Sequence, residues 1–386
     1  MSAGRKKPLQ LQAATSSNYA PIDMLPDELL LAGVNREVKN QIVHEPALGD
    51  HPTLADKYHL ARMGNRRFYS LFKKDASQCV CQFLHPFLLH VVHGNLKEAK
   101  DMIKANPKLL SILLCTKATV TDYSGREIKG TALQMALRAQ DVSMNDQEGM
   151  AEMIMRYLKT IPNGDAESAK QFSEQFPNGL EKQKPYNFSK ILRAILKAPP
   201  ADIQAALAKQ DNGSLLCRAL NQFREDFTHL SHQEINFNPQ HLLEAFKIYD
   251  SDPLWRNHIT QEQQNLFWRQ VIGWVQRYLP ACYTQAFSQG LYFIMEKGES
   301  LKRTFTFRDE DGVFFPLSSD LSGLGYDFAG ASGKGGELMS WDRVWGRARS
   351  KLTKLMSSKN RELGKIIQRA HRESHETRTV RRCTLL

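Results

Sequence analysis

Apolar residues recur at helical spacing along most of the chain, which predicts a mainly α-helical protein. Near the start, Leu25, Leu29 and Leu30 share one helix face, with Pro26 at a position that the first helical turn tolerates. A second apolar stripe follows at Leu54, Tyr58, Ala61, Met63, Phe68, Leu71 and Phe72. We therefore expect a small helical module over residues 21–80, too short for a core of its own, behind a disordered leader at residues 1–20.

The next segment has the pattern of two helix pairs. Residues 83–111 form a helix, a turn containing Gly94 and a second helix that Asn106 and Pro107 stop. A partial repeat of this pattern follows over residues 130–141 and 148–158. The polar sequence VTDYSGREIKG separates the two pairs and predicts an exposed hairpin, with Asp122, Tyr123 and Arg126 at its tip.

Residues 163–340 are rich in aromatic residues and predict a larger helical domain. Phe267, Val271, Trp274 and Tyr278 mark one buried helix, which Pro280 ends. Residues 304–307 and 313–317 alternate as in a small β-hairpin. The glycine-rich stretch after it lacks the spacing of a phosphate-binding loop, so we interpret it as a flexible loop.

Residues 341–386 predict a basic amphipathic helix and tail. Its apolar side consists of Leu352, Leu355, Met356, Leu363, Ile366 and Ile367. This segment holds 13 Lys plus Arg and 4 Asp plus Glu, so that 13 − 4 = +9 of the total net charge of +11 belongs to it. Such a tail suits an acidic protein, a nucleic acid or an anionic membrane, but the nearly neutral remainder argues against a broad nucleic-acid surface.

The sequence lacks the known catalytic motifs for which we searched: it contains no GxSxG, no HExxH and no kinase signature. The six scattered cysteines suit reduced thiols, and no apolar run is long enough to span a bilayer. His85, His90 and His93 could suggest a metal, but a helical surface explains their spacing. We expect no metal and no cofactor, and an active site assembled from distant residues stays an open alternative.

The N-terminal module resembles an F-box. The resemblance rests on Leu25, Pro26, Glu28, Leu29 and Leu30, with the aromatic Phe68 at the end. The separation between Pro26 and Phe68 is longer than in the usual motif, and Gly33 interrupts the first helix. F-boxes dock on the Skp-type adaptor of cullin ubiquitin ligases, so the resemblance implies a host Skp-type adaptor and cullin as partners.

The helix pairs resemble ankyrin repeats through His85, Pro86 and Leu88 at the helix start and the Gly94-Asn95 turn. Together with the F-box-like start and the sequence LFWRQVIGWVQRYLPAC, they resemble Legionella-type ankyrin effectors, which a type IV secretion system injects into a eukaryotic host. The resemblance covers about residues 20–330. It implies secretion into a host cell and protein binding rather than catalysis.

The sequence RRCTLL has the C-a-a-X form, with Cys383 as the cysteine and Leu386 favouring a geranylgeranyl group. One lipid chain needs a second membrane signal, and the basic helix supplies it. The motif implies a host prenyltransferase as a partner and the cytosolic face of a host membrane as the location.

These observations predict a mainly α protein with five parts: the leader, the F-box-like module to residue 80, ankyrin-like repeats over 81–162, the helical domain with its β-hairpin, and the basic prenylated tail. The expected function is a membrane-anchored adaptor that recruits a Skp–cullin ubiquitin ligase to a host target held by Tyr123 and Arg126. Two alternatives remain open: an effector enzyme that modifies a host protein, and a membrane-tethered ankyrin scaffold without a ubiquitin role.

Overall fold

The computed structural model describes residues 80–180, 183–208, 210–251, 259–308, 314–316 and 342–383. This part of the chain is mainly helical, as the apolar periodicity predicts, with two small two-stranded antiparallel sheets. The F-box-like module and the glycine-rich loop lie outside it. The assignment of the helix pairs to ankyrin repeats stays a prediction.

The first half of the described chain begins with a π-helical turn at Val80–Leu84 and contains six α-helices and one hairpin. The helices are α1 (His85–Val92), α2 (Leu96–Ala105), α3 (Leu110–Cys115), α4 (Ala132–Arg138), α5 (Met150–Leu158) and α6 (Gly164–Gln175), with a 3₁₀ turn at Pro107–Leu109. The hairpin strands are β1 (Ala118–Thr121) and β2 (Glu127–Gly130). As predicted, α2 ends at Asn106 and the following proline cannot extend it.

The second half is formed by further helices and the second pair of antiparallel strands. They are α7 (Ser189–Lys197), α8 (Pro200–Leu207), α9 (Leu215–Gln233), α10 (Gln240–Ser251), α11 (Gln261–Leu266), α12 (Gly273–Gln276), α13 (Ala281–Gln289), α14 (Leu291–Met295), β3 (Thr306–Arg308), β4 (Phe314–Pro316) and α15 (Asp342–Cys383). A π-helical turn, Phe267–Ile272, joins α11 to α12. The helix predicted to end at Pro280 therefore corresponds to α11, this π-helical turn and α12 in succession.

The described residues form two hydrophobic cores. The first core lies among α1–α6 and includes Phe87, Leu133 and Ile154, each fully buried. It also includes Phe172 and Phe176, so α6 packs with the helix pairs that precede it. The second core lies among α7–α14 around Phe246, Phe267 and Tyr283.

The long helix α15 belongs to both cores. Leu352, Leu355 and Met356 are buried in the second core, whereas Leu363 and Ile366 are buried in the first. The helix packs on α6 of the first half and on α10 and α14 of the second. The predicted apolar side of this helix is confirmed, and the protein's own two cores cover it.

A buried polar seam connects the two halves where the chain leaves α4. Gln140 adopts a left-handed backbone conformation with φ of 54°, which is uncommon for a residue with a side chain. Its carbonyl accepts a hydrogen bond from Lys359 Nζ at 2.9 Å, and its side chain accepts one from the Tyr283 hydroxyl at 2.7 Å. These two bonds join a residue of the first half to α15 and to α13.

Asp141 completes this seam. It is buried, and Arg303 Nη2 donates a hydrogen bond to its Oδ1 at 2.8 Å. Burial alone would raise the pKa of this carboxyl, but the adjacent Arg303 charge outweighs that effect and the pKa is lowered. Asp141 therefore stays ionised and ties the start of α5, whose Met150 N–H it also accepts, to the segment after α14.

We predict that Lys359→Ala lowers the free energy of unfolding by about 2–4 kcal/mol, because it leaves a cavity and an unpaired Gln140 carbonyl. Lys359 is only 1% exposed. Urea unfolding followed by circular dichroism measures the effect. Lys365→Ala, on the same helix with its side chain 52% exposed, is the control and should change stability little. Equal effects of the two changes would contradict a specific role for Lys359.

Candidate protein-binding site

The predicted exposed arm is a hairpin with a tight tip. Strands β1 and β2 pair from Ala118–Gly130 to Thr121–Glu127, and the chain reverses between Asp122 and Arg126. The Asp122 N–H donates to the Arg126 carbonyl, and the Gly125 N–H donates to the Asp122 carbonyl. Gly125 has φ of +82°, a conformation that glycine adopts without steric cost. The sequence Ser124-Gly125 therefore suits this turn.

The tip is fixed by a buried carboxylate. Asp122 Oδ1 accepts from the Ser124 and Arg126 backbone N–H groups at 2.9 and 3.1 Å. Asp122 Oδ2 accepts from Arg126 Nη2 at 2.7 Å, and both side chains are less than 10% exposed. Burial acts to raise the pKa of Asp122, but the Arg126 charge and these hydrogen bonds lower it overall.

The structure corrects the expected position of Arg126, which does not project from the arm. Its guanidinium pairs with Asp122 and lies over the Tyr278 ring, 5.9 Å from the ring centroid. Tyr278 is in the second core, so Arg126 attaches the hairpin to the body of the protein. Whether Arg126 contributes to partner binding stays a prediction, and any such contribution would act through the shape of the tip.

Tyr123, in contrast, is displayed at the surface with 43% of its area exposed. Its ring stacks on His93, with centroids 3.9 Å apart and an angle of 17° between the planes. Tyr123 also contacts Phe305 in an edge-to-face arrangement, with the ring centroids 4.8 Å apart. The hydrophobic and stacking contacts hold the tyrosine in one orientation while leaving part of it open to a partner.

His93 is suited to stacking because it remains neutral near pH 7. Its partial burial lowers its pKa, although a hydrogen bond with the Thr121 backbone and the Asp122 charge act in the opposite direction. In the sequence, His93 stands out only as one of three histidines that could suggest a metal, and no pattern singles out Phe305. The alternation from Thr304 to Phe307 predicts a strand that contains Phe305, but the contact of Phe305 with Tyr123 depends on the tertiary fold.

The remaining predicted site residues lie at or beyond the limits of the described structure. Those of the F-box-like motif, Leu25, Pro26, Glu28, Leu29, Leu30 and Phe68, lie outside it. Cys383 is the last residue of α15, and the structure describes its backbone only.

Two buried groups of titratable side chains could suggest a catalytic site, but the contacts of both stabilise the fold. His241 Nε2 donates to Glu234 at 2.8 Å, but its Nδ1 accepts the Tyr186 N–H at 2.7 Å, so neither nitrogen is available to a substrate. Cys282 lies 3.7 Å from Lys359 Nζ, yet burial raises the pKa of its thiol to about 11. Such a thiol is protonated and a poor nucleophile.

Within the described ranges, no group of three His, Cys, Asp or Glu side chains could hold a metal ion. None of the helices in that same part of the chain has the length and apolar character needed to cross a membrane.

Comparison of the chain with protein-family models, with curated protein sequences and with solved structures finds no match.

We predict that Asp122→Asn destabilises the protein by about 3 kcal/mol near pH 7, because it leaves the buried Arg126 charge without its partner. The folded-state pKa of Asp122 is below the unfolded value, so the stability that it contributes is present above roughly pH 4 and is lost as the pH falls through the folded-state pKa. Urea unfolding of both proteins between pH 7 and pH 2 measures this difference, which should shrink with falling pH.

Glu127→Gln provides the control, because Glu127 is exposed on the same hairpin. This variant should unfold like the unchanged protein at neutral pH. A destabilisation by Asp122→Asn that stayed constant down to pH 2 would mean that the Asp122 charge does not stabilise the tip.

Proposed function

We propose that the chain is a protein-binding adaptor of the secreted effector type, which brings a host ubiquitin ligase to a host target protein. In this proposal the hairpin tip around Tyr123 binds the target, and the segment Leu25 to Leu30 binds a Skp-type adaptor and through it a cullin. Cys383 carries an isoprenoid that holds the complex on a host membrane. The display of Tyr123 on a fixed tip is the observation that carries the proposal.

The energetics of protein interfaces support a binding role for Tyr123. Tyrosine is enriched among the residues that dominate binding energy, since its large ring is apolar and its hydroxyl can form a hydrogen bond. The stack on His93 and the contact with Phe305 restrict the ring before a partner arrives. Little conformational entropy is then lost on binding, which favours affinity.

The position of α15 supports the use of a lipid. A basic amphipathic helix can bind a membrane by inserting its apolar side. Leu352, Leu355, Met356, Leu363 and Ile366 are instead buried in the two cores, so this stretch has no free apolar side to insert. Exposed Arg361, Lys365 and Arg369 can attract anionic lipid, but each contributes only about 1 kcal/mol.

Affinity purification of the full chain from host cells tests the adaptor function. We expect Tyr123→Ala to lose the target protein, by roughly tenfold or more in recovery, and to keep the Skp-type adaptor. The double change Leu25→Ala with Pro26→Ala should do the reverse.

Tyr292→Ala is the matched control, because Tyr292 is exposed to a similar extent, 44%, but lies on α14. It should recover both partners. Recovery of no Skp-type adaptor by the unchanged chain would overturn the ubiquitin-ligase part of the proposal. Equal loss of the target with Tyr123→Ala and Tyr292→Ala would overturn the role of the hairpin.

We predict that Cys383→Ser blocks incorporation of a labelled isoprenoid and moves the protein from host membranes to the host cytosol. Prenylation forms a thioether with the cysteine sulfur, which a serine hydroxyl cannot replace. Thr384→Ala keeps the motif and should keep the lipid, whereas Leu386→Ser should favour a farnesyl group. Membrane fractionation of host cells measures the location of each variant. A Cys383→Ser protein that remained in the membrane fraction would contradict the lipid anchor.

A further inference from the structure

A cleft of about 940 Å³ lies on the molecule away from the residues proposed above. One wall is formed by the end of α6 and the residues after it, at 175–180, 183 and 184, and the other by residues 233–236 and 238–240 between α9 and α10. Leu137 and Gln140 of the first half and Asn360 and Leu363 of α15 complete the lining. The volume is within the range of about 300–1,000 Å³ that is usual for ligand sites.

Carboxamide side chains dominate the polar lining of this cleft, and some of them build its walls. Gln175 Nε2 donates to the Ile235 carbonyl at 3.2 Å. Asn238 Nδ2 donates to the Lys184 carbonyl at 2.8 Å, which joins one wall to the other. These bonds fix the separation of the two walls, so the cleft exists before any ligand binds.

Other polar groups of the lining make no hydrogen bond within the part of the chain that the structure describes. The carboxamides of Gln240 and Asn360 have no hydrogen-bond partner among the described residues, and the same is true of the backbone N–H groups of Ile235 and Asn236. A carboxamide offers a donor and an acceptor together, as a peptide group does. The free groups therefore match the alternating donors and acceptors of an extended polypeptide.

The apolar groups of the rim fit the same kind of ligand. Leu180 and Ile235 both line the cleft and are 46% and 61% exposed, unusually high for large apolar side chains. Lys184 and Glu234 are the two charged side chains of the lining, and their charges cancel. The one aromatic side chain, Phe176, is 7% exposed and offers no open face on which a sugar or a base could stack.

From this geometry we propose that the cleft binds an uncharged, extended polypeptide segment. Gln240, Asn360 and the free N–H groups of Ile235 and Asn236 bind its backbone, and Leu180 and Ile235 contact apolar side chains on alternate residues. Side chains two residues apart in an extended chain point to the same side, so the ligand carries apolar residues at positions i and i+2. This site is independent of the hairpin tip.

Selection of random linear nonapeptides against the full chain tests the proposal. We expect the selected peptides to share apolar residues at i and i+2, and to lose binding when the backbone nitrogens between them are methylated. Fluorescence anisotropy of one labelled selected peptide should show at least roughly tenfold weaker binding to the Ile235→Asp variant, because a charge then meets an apolar side chain. Asn360→Asp should also weaken binding, since the carboxylate cannot donate.

Leu215→Asp is the matched control, because Leu215 is 77% exposed and lies outside the cleft lining. This variant and Tyr123→Ala should bind the peptide with unchanged affinity, which separates this site from the proposed target site. Thermal unfolding of every variant shows that the fold is kept. The proposal is overturned if selection yields no binding peptide, or if Ile235→Asp and Leu215→Asp bind the peptide equally well.

Discussion

The hydrogen bond from Lys359 to the Gln140 carbonyl is the interaction on which the arrangement of the two cores depends. Gln140 is the residue at which the chain leaves α4 in a left-handed conformation, and Lys359 comes from the helix that packs on both halves. The Tyr283 hydroxyl and the Asp141–Arg303 pair surround this bond. A buried polar group tolerates few alternative arrangements, because each one leaves a donor or acceptor unpaired. The seam therefore specifies one relative position of the cores, whatever its net contribution to stability.

This fixed position has consequences for the surfaces that carry the proposed functions. Arg126 holds the hairpin against Tyr278 of the second core, while Tyr123 rests on His93 of the first half and on Phe305 near the chain segment of Arg303. The tip is thus built from both halves and would lose its shape if they moved apart. The carboxamide cleft likewise has α6 of the first half on one side and the segment before α10 on the other.

The sequence predicts the local elements well and the tertiary roles of polar residues poorly. The apolar side of α15 follows from the spacing of Leu352, Leu355, Met356, Leu363 and Ile366, because burial of a helix face imposes that period. The tip of the hairpin follows from Asp122, Ser124 and Gly125, which are turn-forming residues. In contrast, Arg126 and Lys359 resemble surface charges in the sequence, since burial of a charge requires partners that distant segments supply. The stack of Tyr123 on His93 and the walls of the carboxamide cleft depend on such contacts too.

The double role of α15 also bears on how the protein is made. Leu352 and Leu363 fill gaps in different cores, so neither core is complete until this helix has left the ribosome. Up to that moment the apolar surfaces that α15 covers in the folded protein are exposed in both halves. The last step of folding therefore waits for the last helix, and a chaperone that recognises apolar segments would find these surfaces open until then.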